Sequence, residues 1–251
     1  MKTIKEKEMA YIIRLNKCNL NCLFCMEKEN LAKGELFSYK EVKEQISFAK
    51  TRGYQKIDFF GGEPTVFPYL KEAVIYAQKE GFSCTMATNC VKFSDSNYAQ
   101  DFFKNIDLNR FMMRTSFHDF RAEKHDLITG VIGSHGMTMR GIQNILKHTH
   151  YLAVNIVITS LNHEYLLDIV ELLHQNNVRG IKFSGLVPEG RILDNSWLVV
   201  DFSAYADLLL EAIVAARDKD FLNIEVEKMP KKYLEKVGIF KIKEVQFIDI
   251  F

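Results

Sequence analysis

The sequence predicts an α/β protein built on a parallel sheet. Short apolar runs alternate with longer amphipathic segments six times along the 251 residues, which is the order of a strand-then-helix protein. The short runs are continuously apolar more than alternating, as expected for strands whose two faces are both covered. Six such units form either an open, curved barrel or a flat doubly wound sheet, and periodicity alone does not choose between them.

Each strand is predicted from a run of apolar and β-branched residues, and each helix from apolar residues at helical spacing. The Ser38 and Glu41 pair before the first helix has the pattern of a capping box. The predicted strands are Met9–Asn16, Lys56–Phe60, Phe82–Thr88, Arg110–Ser116, Leu152–Thr159 and Gly180–Leu186. The predicted helices are Tyr39–Arg52, Tyr69–Glu80, Ser96–Ile106, Ser134–Thr149, Glu164–Asn176 and Phe202–Arg217.

The pattern weakens after Arg217. Asn223–Lys228 is a further candidate strand, Pro230 opens a Lys-rich stretch, and Val245–Phe251 is an apolar run at the very end. Chain termini are normally polar and frayed. We therefore expect either that this last run pairs with the sheet or that the chain has been cut there.

Composition excludes several classes of protein. Apolar residues make up 47% and charged residues 26%, which excludes disordered, collagen-like and coiled-coil chains. Lys and Arg number 33 against 32 Asp and Glu, so no general attraction to nucleic acid or to an anionic membrane is expected. The charged start lacks the apolar core of a secretory signal, and no run is long enough to span a membrane. Together with free thiols, these features predict a cytoplasmic protein.

The five cysteines are placed unevenly, and their number argues against a disulfide scaffold. Cys18, Cys22 and Cys25 follow the first strand at C-x3-C-x2-C spacing, so three thiolates can converge on one metal centre. Zinc normally takes a fourth Cys or His at short spacing, and none is near. Three thiolates on a [4Fe–4S] cluster leave one iron open for a substrate or cofactor. The loop therefore favours an iron–sulfur cluster, with zinc or buried structural cysteines as alternatives.

The second strand ends in Gly61-Gly62-Glu63-Pro64. Two glycines let the backbone turn tightly and approach a ligand closely, and Glu63 offers a carboxylate beside them. Taken alone, this segment is equally an ordinary turn between a strand and a helix. Beside the cysteine loop, it indicates a ligand site.

The two motifs together resemble the radical S-adenosylmethionine (SAM) superfamily, with Phe24 as the aromatic before the last cysteine. The resemblance covers most of the chain, because six strand-and-helix units match the partial (β/α)6, TIM-like barrel of that superfamily. It implies a barrel over residues 1–217 and a short C-terminal extension over residues 218–251, which is either complete or truncated.

The resemblance also implies the chemistry. Cys18, Cys22 and Cys25 would ligate three irons of a [4Fe–4S] cluster, and SAM would bind the fourth through its amino and carboxylate groups. One electron from the reduced cluster would split SAM into methionine and a 5′-deoxyadenosyl radical, which abstracts hydrogen from a substrate. A flavodoxin or ferredoxin is implied as the electron donor.

The residues that match the superfamily's SAM contacts all lie at or near strand ends. Phe24 and the backbone at Leu186 would contact adenine, and Ser116 would contact the ribose. The methionyl ammonium would be bound by Gly61, Gly62 and Glu63. Thr88 would contact another part of SAM, and Asn155 would contact SAM or substrate. Cys90 stands where relatives carry a glycine. It is either a small thiol filling that position or a hydrogen donor to a substrate radical.

The segment Leu186–Arg191 resembles a turn of the SPASM/Twitch branch, which modifies ribosomal peptides and some tetrapyrroles. That branch places auxiliary clusters in a C-terminal extension, but no cysteine follows Cys90, so no auxiliary cysteine cluster is expected here. Glu189 and Arg191 of this turn either bind substrate or pair at the surface. The resemblance favours a peptide substrate, for maturation, epimerisation or cross-linking. The alternatives are a small molecule such as a nucleotide, sugar or tetrapyrrole precursor, and a non-catalytic iron–sulfur or zinc-binding domain.

The polar run from Ser116 to His125 follows the fourth strand. It either holds an anionic group of the substrate or forms a solvated loop. The seven histidines of the chain show no metal-ligand spacing.

Overall fold

The computed structural model describes residues 9–34, 37–229 and 245–248. The expectations about the first eight residues, the Lys-rich stretch that Pro230 opens and the last three residues lie outside the described residues. Within the described ranges, eight parallel strands lie side by side in chain order. They are β1 Ala10–Leu15, β2 Lys56–Gly61, β3 Ser83–Thr88, β4 Phe111–Ser116, β5 Leu152–Val157, β6 Gly180–Ser184, β7 Asn223–Glu227 and β8 Val245–Ile248.

The helices connect these strands and cover one face of the sheet. They are α1 Lys28–Ala32, α2 Tyr39–Thr51, α3 Leu70–Lys79, α4 Ser96–Phe103, α5 Ala122–Thr129, α6 Ser134–Leu146, α7 Leu166–Gln175 and α8 Ala206–Asp218. The capping box is confirmed at the start of α2, where the Ser38 hydroxyl accepts from the Glu41 N–H and the Glu41 carboxylate accepts from the Ser38 N–H. No helix among the described residues is long and apolar enough to cross a membrane.

The predicted α/β class and parallel sheet are confirmed, and the sheet is longer than predicted. β7 pairs with β6 from Asn223 to Glu227, and β8 pairs with β7 in turn. Two strands that follow the sixth unit therefore continue the sheet. The boundary between residues 217 and 218 stays a prediction.

The two faces of the strands carry different residues. Side chains such as Ile57, Met86, Met113, Val154 and Ile181 are fully buried and form one core with the helices. The residues between them point to the opposite, concave face, because successive side chains of a strand alternate. That inner face is polar, and the loops at the carboxyl ends of the strands lie along its rim.

Candidate active site

The cysteine loop runs from Lys17 to Cys25, directly after β1, and α5 holds its first side. The N–H of Asn21 donates to the carbonyl of Thr129, and the N–H of Leu23 donates to the carbonyl of Ile128, both at 2.9 Å. Gly130 ends α5 with φ 70°, and a Cβ there would lie 2.6 Å from the carbonyl oxygen of Asn21. Only glycine fits this close approach.

The other side of the loop is held by the 3-10 turn Gly190–Leu193, which follows β6. The Arg191 N–H donates to the Cys25 carbonyl at 2.9 Å, and the Arg191 guanidinium reaches the Cys22 carbonyl at 3.4 Å. A Cβ on Gly190 would lie 2.3 Å from the Cys25 carbonyl oxygen. Arg191 therefore fastens the cysteine loop, in addition to any role toward substrate.

The three thiols are free and half-buried. Burial raises the pKa of Cys18 to about 11 and that of Cys22 to about 12, and it raises the pKa of Cys25 as well. Nearby negative charge adds to the effect: Glu63 on Cys18, and the other two thiols on Cys22. The thiols are thus close enough to oppose one another's ionisation, and a metal cation would reverse that opposition.

The donor set of this loop fits an iron–sulfur cluster. Within residues 9–34, 37–229 and 245–248, no three His, Cys, Asp or Glu side chains form a group that could hold a single metal ion. A cluster makes a different demand, because each thiolate binds its own iron and the sulfurs need not share one tetrahedron. Three cysteines would hold three irons and leave one iron open.

The Gly61–Glu63 turn presses directly onto the start of the cysteine loop. Gly61 has φ 110°, and a Cβ there would lie 2.2 Å from the Leu15 carbonyl oxygen. A Cβ on Gly62 would lie 2.0 Å from the carbonyl oxygen of Lys17. The N–H groups of Gly62 and Glu63 donate to those two carbonyls at 2.6 Å each. The two glycines are therefore required by contact with the chain itself.

The Glu63 side chain joins the ends of β2 and β3. Its carboxylate is buried and accepts from the N–H and hydroxyl of Thr65, the hydroxyl of Thr88 and the N–H of Asn89, at 2.6–3.0 Å. Burial raises the pKa of Glu63, and these four hydrogen bonds oppose that rise. The carboxylate is buried and fixed in place, and within the part of the chain that the structure describes its hydrogen-bond donors are all neutral groups.

The Thr88-Asn89-Cys90 turn completes the link between the first three loops. The Asn89 amide donates to the Asn19 side chain in the cysteine loop at 2.7 Å. The Thr88 hydroxyl accepts from the Cys90 N–H at 3.1 Å and donates to Glu63. These bonds therefore join three segments into one unit: the cysteine loop, the Gly61–Glu63 turn and the Thr88–Cys90 turn.

Cys90 adopts a left-handed backbone with φ 61°, a conformation that glycine adopts most readily. It is fully buried in the core, beside the Thr115 hydroxyl, and a Cβ on Gly141 of α6 would lie 2.1 Å from its carbonyl oxygen. Burial raises the pKa of the thiol. This placement supports the filling role, and hydrogen donation by Cys90 stays a prediction.

The segment after β4 is buried in part: Phe117, His118, Asp119 and His125 are buried, whereas Ala122 and Glu123 at the start of α5 are exposed. The expectation of a solvated loop is therefore wrong for the buried residues. His118 is 1% exposed and contacts Phe24 edge to face, with ring centroids 5.0 Å apart. The His118 Nδ1 accepts from the backbone N–H of Val157, and the backbone N–H of His118 donates to Nδ1 of His125. Burial lowers the pKa of His118 to about 3 and that of His125 to about 2. Two neutral imidazoles therefore stand behind the aromatic residue of the cysteine loop.

Comparison with known proteins places this geometry in a family. The model of the radical SAM superfamily matches residues 12–174, which include the cysteine loop and the turns after β2 and β3. The chain belongs to the radical SAM superfamily. Enzymes of this superfamily use a [4Fe–4S] cluster and SAM.

Two curated relatives share 28% identity with this radical SAM chain. One is the AdoMet-dependent heme synthase of Oleidesulfovibrio alaskensis, aligned over 76% of this chain and 49% of the relative. The other is the Fe-coproporphyrin III synthase of Methanosarcina barkeri, aligned over 86% and 54%. The chain thus spans about half the length of the curated relatives it matches.

Solved structures confirm the TIM-like partial barrel. Streptococcus suis SuiB bound to S-adenosylmethionine superposes with a TM-score of 0.62 at 16% identity, over 96% of this chain and 50% of that one. SuiB bound to its precursor peptide SuiA gives a TM-score of 0.61 at 15% identity, over 96% and 48%. At this identity the likeness shows the fold alone.

The remaining residues predicted to contact SAM lie on β4, on β5 and after β6. Ser116 of β4 and Asn155 of β5 are register partners at the rim of the inner face, and both are half-buried. Leu186 is half-buried in the loop after β6. All of the matched positions thus lie on the carboxyl half of the radical SAM barrel, and their contacts with SAM stay predictions.

A set of charged residues on the inner face was not predicted from the sequence. Asp58 of β2 accepts from the Thr85 hydroxyl at 2.7 Å and from the Arg114 guanidinium at 2.8 Å, which bridges β2, β3 and β4. The charged residues of this set interrupt apolar strands. That interruption, at positions that alternate with core residues, is the signal that could have found them.

A second group on the same face bridges β5, β6 and β7. Lys182 pairs with Glu227 at 2.6 Å, and both side chains are more than nine-tenths buried. Burial lowers the pKa of Lys182, and the Glu227 carboxylate opposes that shift. The Ser184 oxygen lies 3.0 Å from Glu227 and 2.7 Å from the Asn155 side chain. The Ser184 hydroxyl is the donor in both contacts, and the Asn155 amide oxygen and the Glu227 carboxylate accept.

Proposed function

We propose that this chain is the catalytic domain of an enzyme that cleaves SAM reductively at a [4Fe–4S] cluster and abstracts a hydrogen atom from its substrate. The observation that carries the proposal is the fastened cysteine loop. Three thiols, held between α5 and the Gly190–Leu193 turn, lie against the Gly61–Glu63 turn in a chain of the radical SAM superfamily.

In this proposal the residues of the chain bind, orient and exclude water. Cys18, Cys22 and Cys25 hold the cluster, which supplies the electron that breaks a carbon–sulfur bond of SAM. Phe24, backed by the buried His118, would offer an apolar surface to adenine. Glu63 and the backbone beside it would face the SAM ammonium with fixed negative charge, which needs no reorganisation when the ligand arrives.

Two observations favour two classes of substrate. The SuiB fold, which superposes over nearly the whole chain, has been crystallised with a precursor peptide and supports the peptide. The heme and Fe-coproporphyrin III synthases, at higher identity, support a small molecule. We propose the peptide as the first class to test and the small molecule as the second.

The proposal includes an electron donor and a compartment. An external flavodoxin or ferredoxin would reduce the cluster, because no second redox group is expected in the chain. All five cysteines are free thiols, which supports a reducing, cytoplasmic setting.

The test is anaerobic reconstitution with iron, sulfide and reductant, followed by addition of SAM. We expect a brown protein with iron–sulfur absorbance that forms 5′-deoxyadenosine only when reductant is present. A reconstituted, folded protein that binds iron and sulfide without forming 5′-deoxyadenosine would instead support a non-catalytic cluster domain.

A further inference from the structure

The carboxylates of the inner face are each bonded by donors of the chain. Both carboxylate oxygens of Asp58 are bonded, one by Thr85 and one by Arg114. Both carboxylate oxygens of Glu227 are bonded as well, one by Ser184 and one by Lys182. A third carboxylate of this face, Glu225 of β7, is half-buried beside Lys182 and accepts from the Asn223 amide at 2.6 Å.

Arg114 is the main spare donor. A guanidinium carries five N–H groups, and Asp58 is its one bonded partner among the described residues. The Arg114 side chain is 29% exposed, although it lies on the inner face of a strand, so its free N–H groups face the open lumen. An exposed, incompletely bonded guanidinium inside a barrel is suited to bind a carboxylate or phosphate in a bidentate way.

The neighbours of Arg114 are also suited to an anion. Lys182 stands two strands away on the same face, and the Arg114 charge is one of the influences that lower the pKa of Lys182, after burial. Two cations that oppose each other are both relieved by an anion between them. Asn155 lies on β5, between these two strands. Its amide oxygen accepts from Ser184, and its NH2 group has no bonded partner among the described residues.

We propose that Arg114, with Asn155 and Lys182 beside it, binds an anionic oxygen group of the substrate, a carboxylate or a phosphate, on the inner face of the barrel. The inference rests on the proposed function, because it names the chemistry of that enzyme's substrate. Arg114 lies two residues before Ser116 on β4, so this site is deeper in the barrel than the rim where SAM is expected.

The experiment is calorimetric titration of the reconstituted, SAM-loaded protein. Glutarate is the probe, glutaramide is its uncharged match, and inorganic phosphate is titrated in parallel. We expect glutarate or phosphate to bind and glutaramide not to bind. Arg114→Gln should weaken binding of the anion by about tenfold or more, since a hydrogen bond between charged groups is lost.

Two further variants keep this test sharp. Asp58→Asn removes the competing carboxylate and should tighten anion binding by about threefold, an increase that misfolding cannot produce. Arg110→Gln is the matched control, because Arg110 is an exposed arginine just before β4 that pairs with Asp107 outside the barrel. It should leave the dissociation constant unchanged.

The outcomes separate the site from the proposed function. Binding of glutarate by Arg114→Gln with the affinity of the original protein overturns the anion site, and so does equal binding of glutaramide. Tighter binding of phosphate than of glutarate assigns a phosphate-bearing substrate, and the reverse assigns a carboxylate. The same preparation is assayed for 5′-deoxyadenosine, so a protein that cleaves SAM but binds no anion loses only this inference.

Discussion

The loops after β1 to β3 and the inner face of β2 to β7 differ in how they handle charge. The loops hold three thiols and the buried Glu63, whose carboxylate is bonded only by neutral donors. The inner face holds its charges in pairs, Asp58 with Arg114 and Lys182 with Glu227.

This difference shows which region depends on a ligand. Burial and the nearby Glu63 raise the pKa of Cys18, and burial and the other two thiols raise the pKa of Cys22. Bound irons and the SAM ammonium would supply the missing positive charge. The pairs Asp58–Arg114 and Lys182–Glu227 already neutralise each other, so both pairs are expected to keep their structure without a ligand.

The largest expected effect is loss of a cluster cysteine. Cys22→Ala should abolish the iron–sulfur absorbance and the formation of 5′-deoxyadenosine, because one iron loses its thiolate. Cys84→Ala is the control, since Cys84 is buried on β3 and outside the loop. A Cys22→Ala protein with full cluster content and activity would contradict the ligand assignment.

The second effect tests the paired charges. Lys182→Met should lower the free energy of unfolding by about 3 kcal/mol, because it leaves the buried Glu227 with only the more distant Lys228, at 3.8 Å, among the described residues. The double variant Lys182→Met with Glu227→Gln should recover most of that loss. Urea denaturation measures both, and a single variant that costs less than about 1 kcal/mol would show that water reaches Glu227.

The third effect tests the neutral imidazoles behind Phe24. His118 and His125 have pKa values lowered to about 3 and about 2 in the folded protein, so their stabilisation is present above the unfolded pKa and is lost as pH falls. Each of these two histidines should lower the free energy of unfolding by about 1.4 kcal/mol for every pH unit below about pH 6.5.

His125→Asn should remove one proton from this pH dependence, measured by urea denaturation at several pH values. His150→Asn, at an exposed histidine, should leave the dependence unchanged. Equal slopes for all three proteins would mean that His125 is charged in the folded state.

The smallest effect is expected at Cys90. Cys90→Gly relieves the left-handed backbone but removes a buried side chain, so stability should change by no more than about 1 kcal/mol. Cleavage of SAM should continue. The product mixture of the coupled reaction then decides its role: an unchanged product leaves Cys90 as a filling residue, and loss of product assigns it hydrogen donation.

Much of the fold could be predicted because the strands are continuous apolar runs, but two features were hidden. α5 was missed because its buried side includes His125 and Thr129, so it lacks the apolar periodicity of the other helices. The continuation of the sheet through β7 and β8 was left open, since a strand-like run does not show which strand it pairs with.

The candidate site was predictable where function fixes a motif and hidden where contacts are long-range. The three cysteines stand out in the sequence by their spacing, and the Gly61–Glu63 turn gains its meaning beside them. The Lys182–Glu227 pair joins residues far apart in the chain, and alternation gives their shared face without giving their contact. The bond from Arg191 to Cys25 is equally invisible in the sequence.

The bonds from Arg191 to the cysteine loop have a consequence for the order of synthesis. The loop leaves the ribosome early, but the turn that fastens it lies about 170 residues later, since the Arg191 guanidinium and the Cys22 carbonyl are separated by 169 positions. Until that turn has been synthesised, the cysteine loop lacks one of the two segments that hold it in place. The cysteine motif is therefore translated well before it is fastened, and its second side is held only once the Gly190–Leu193 turn has been made.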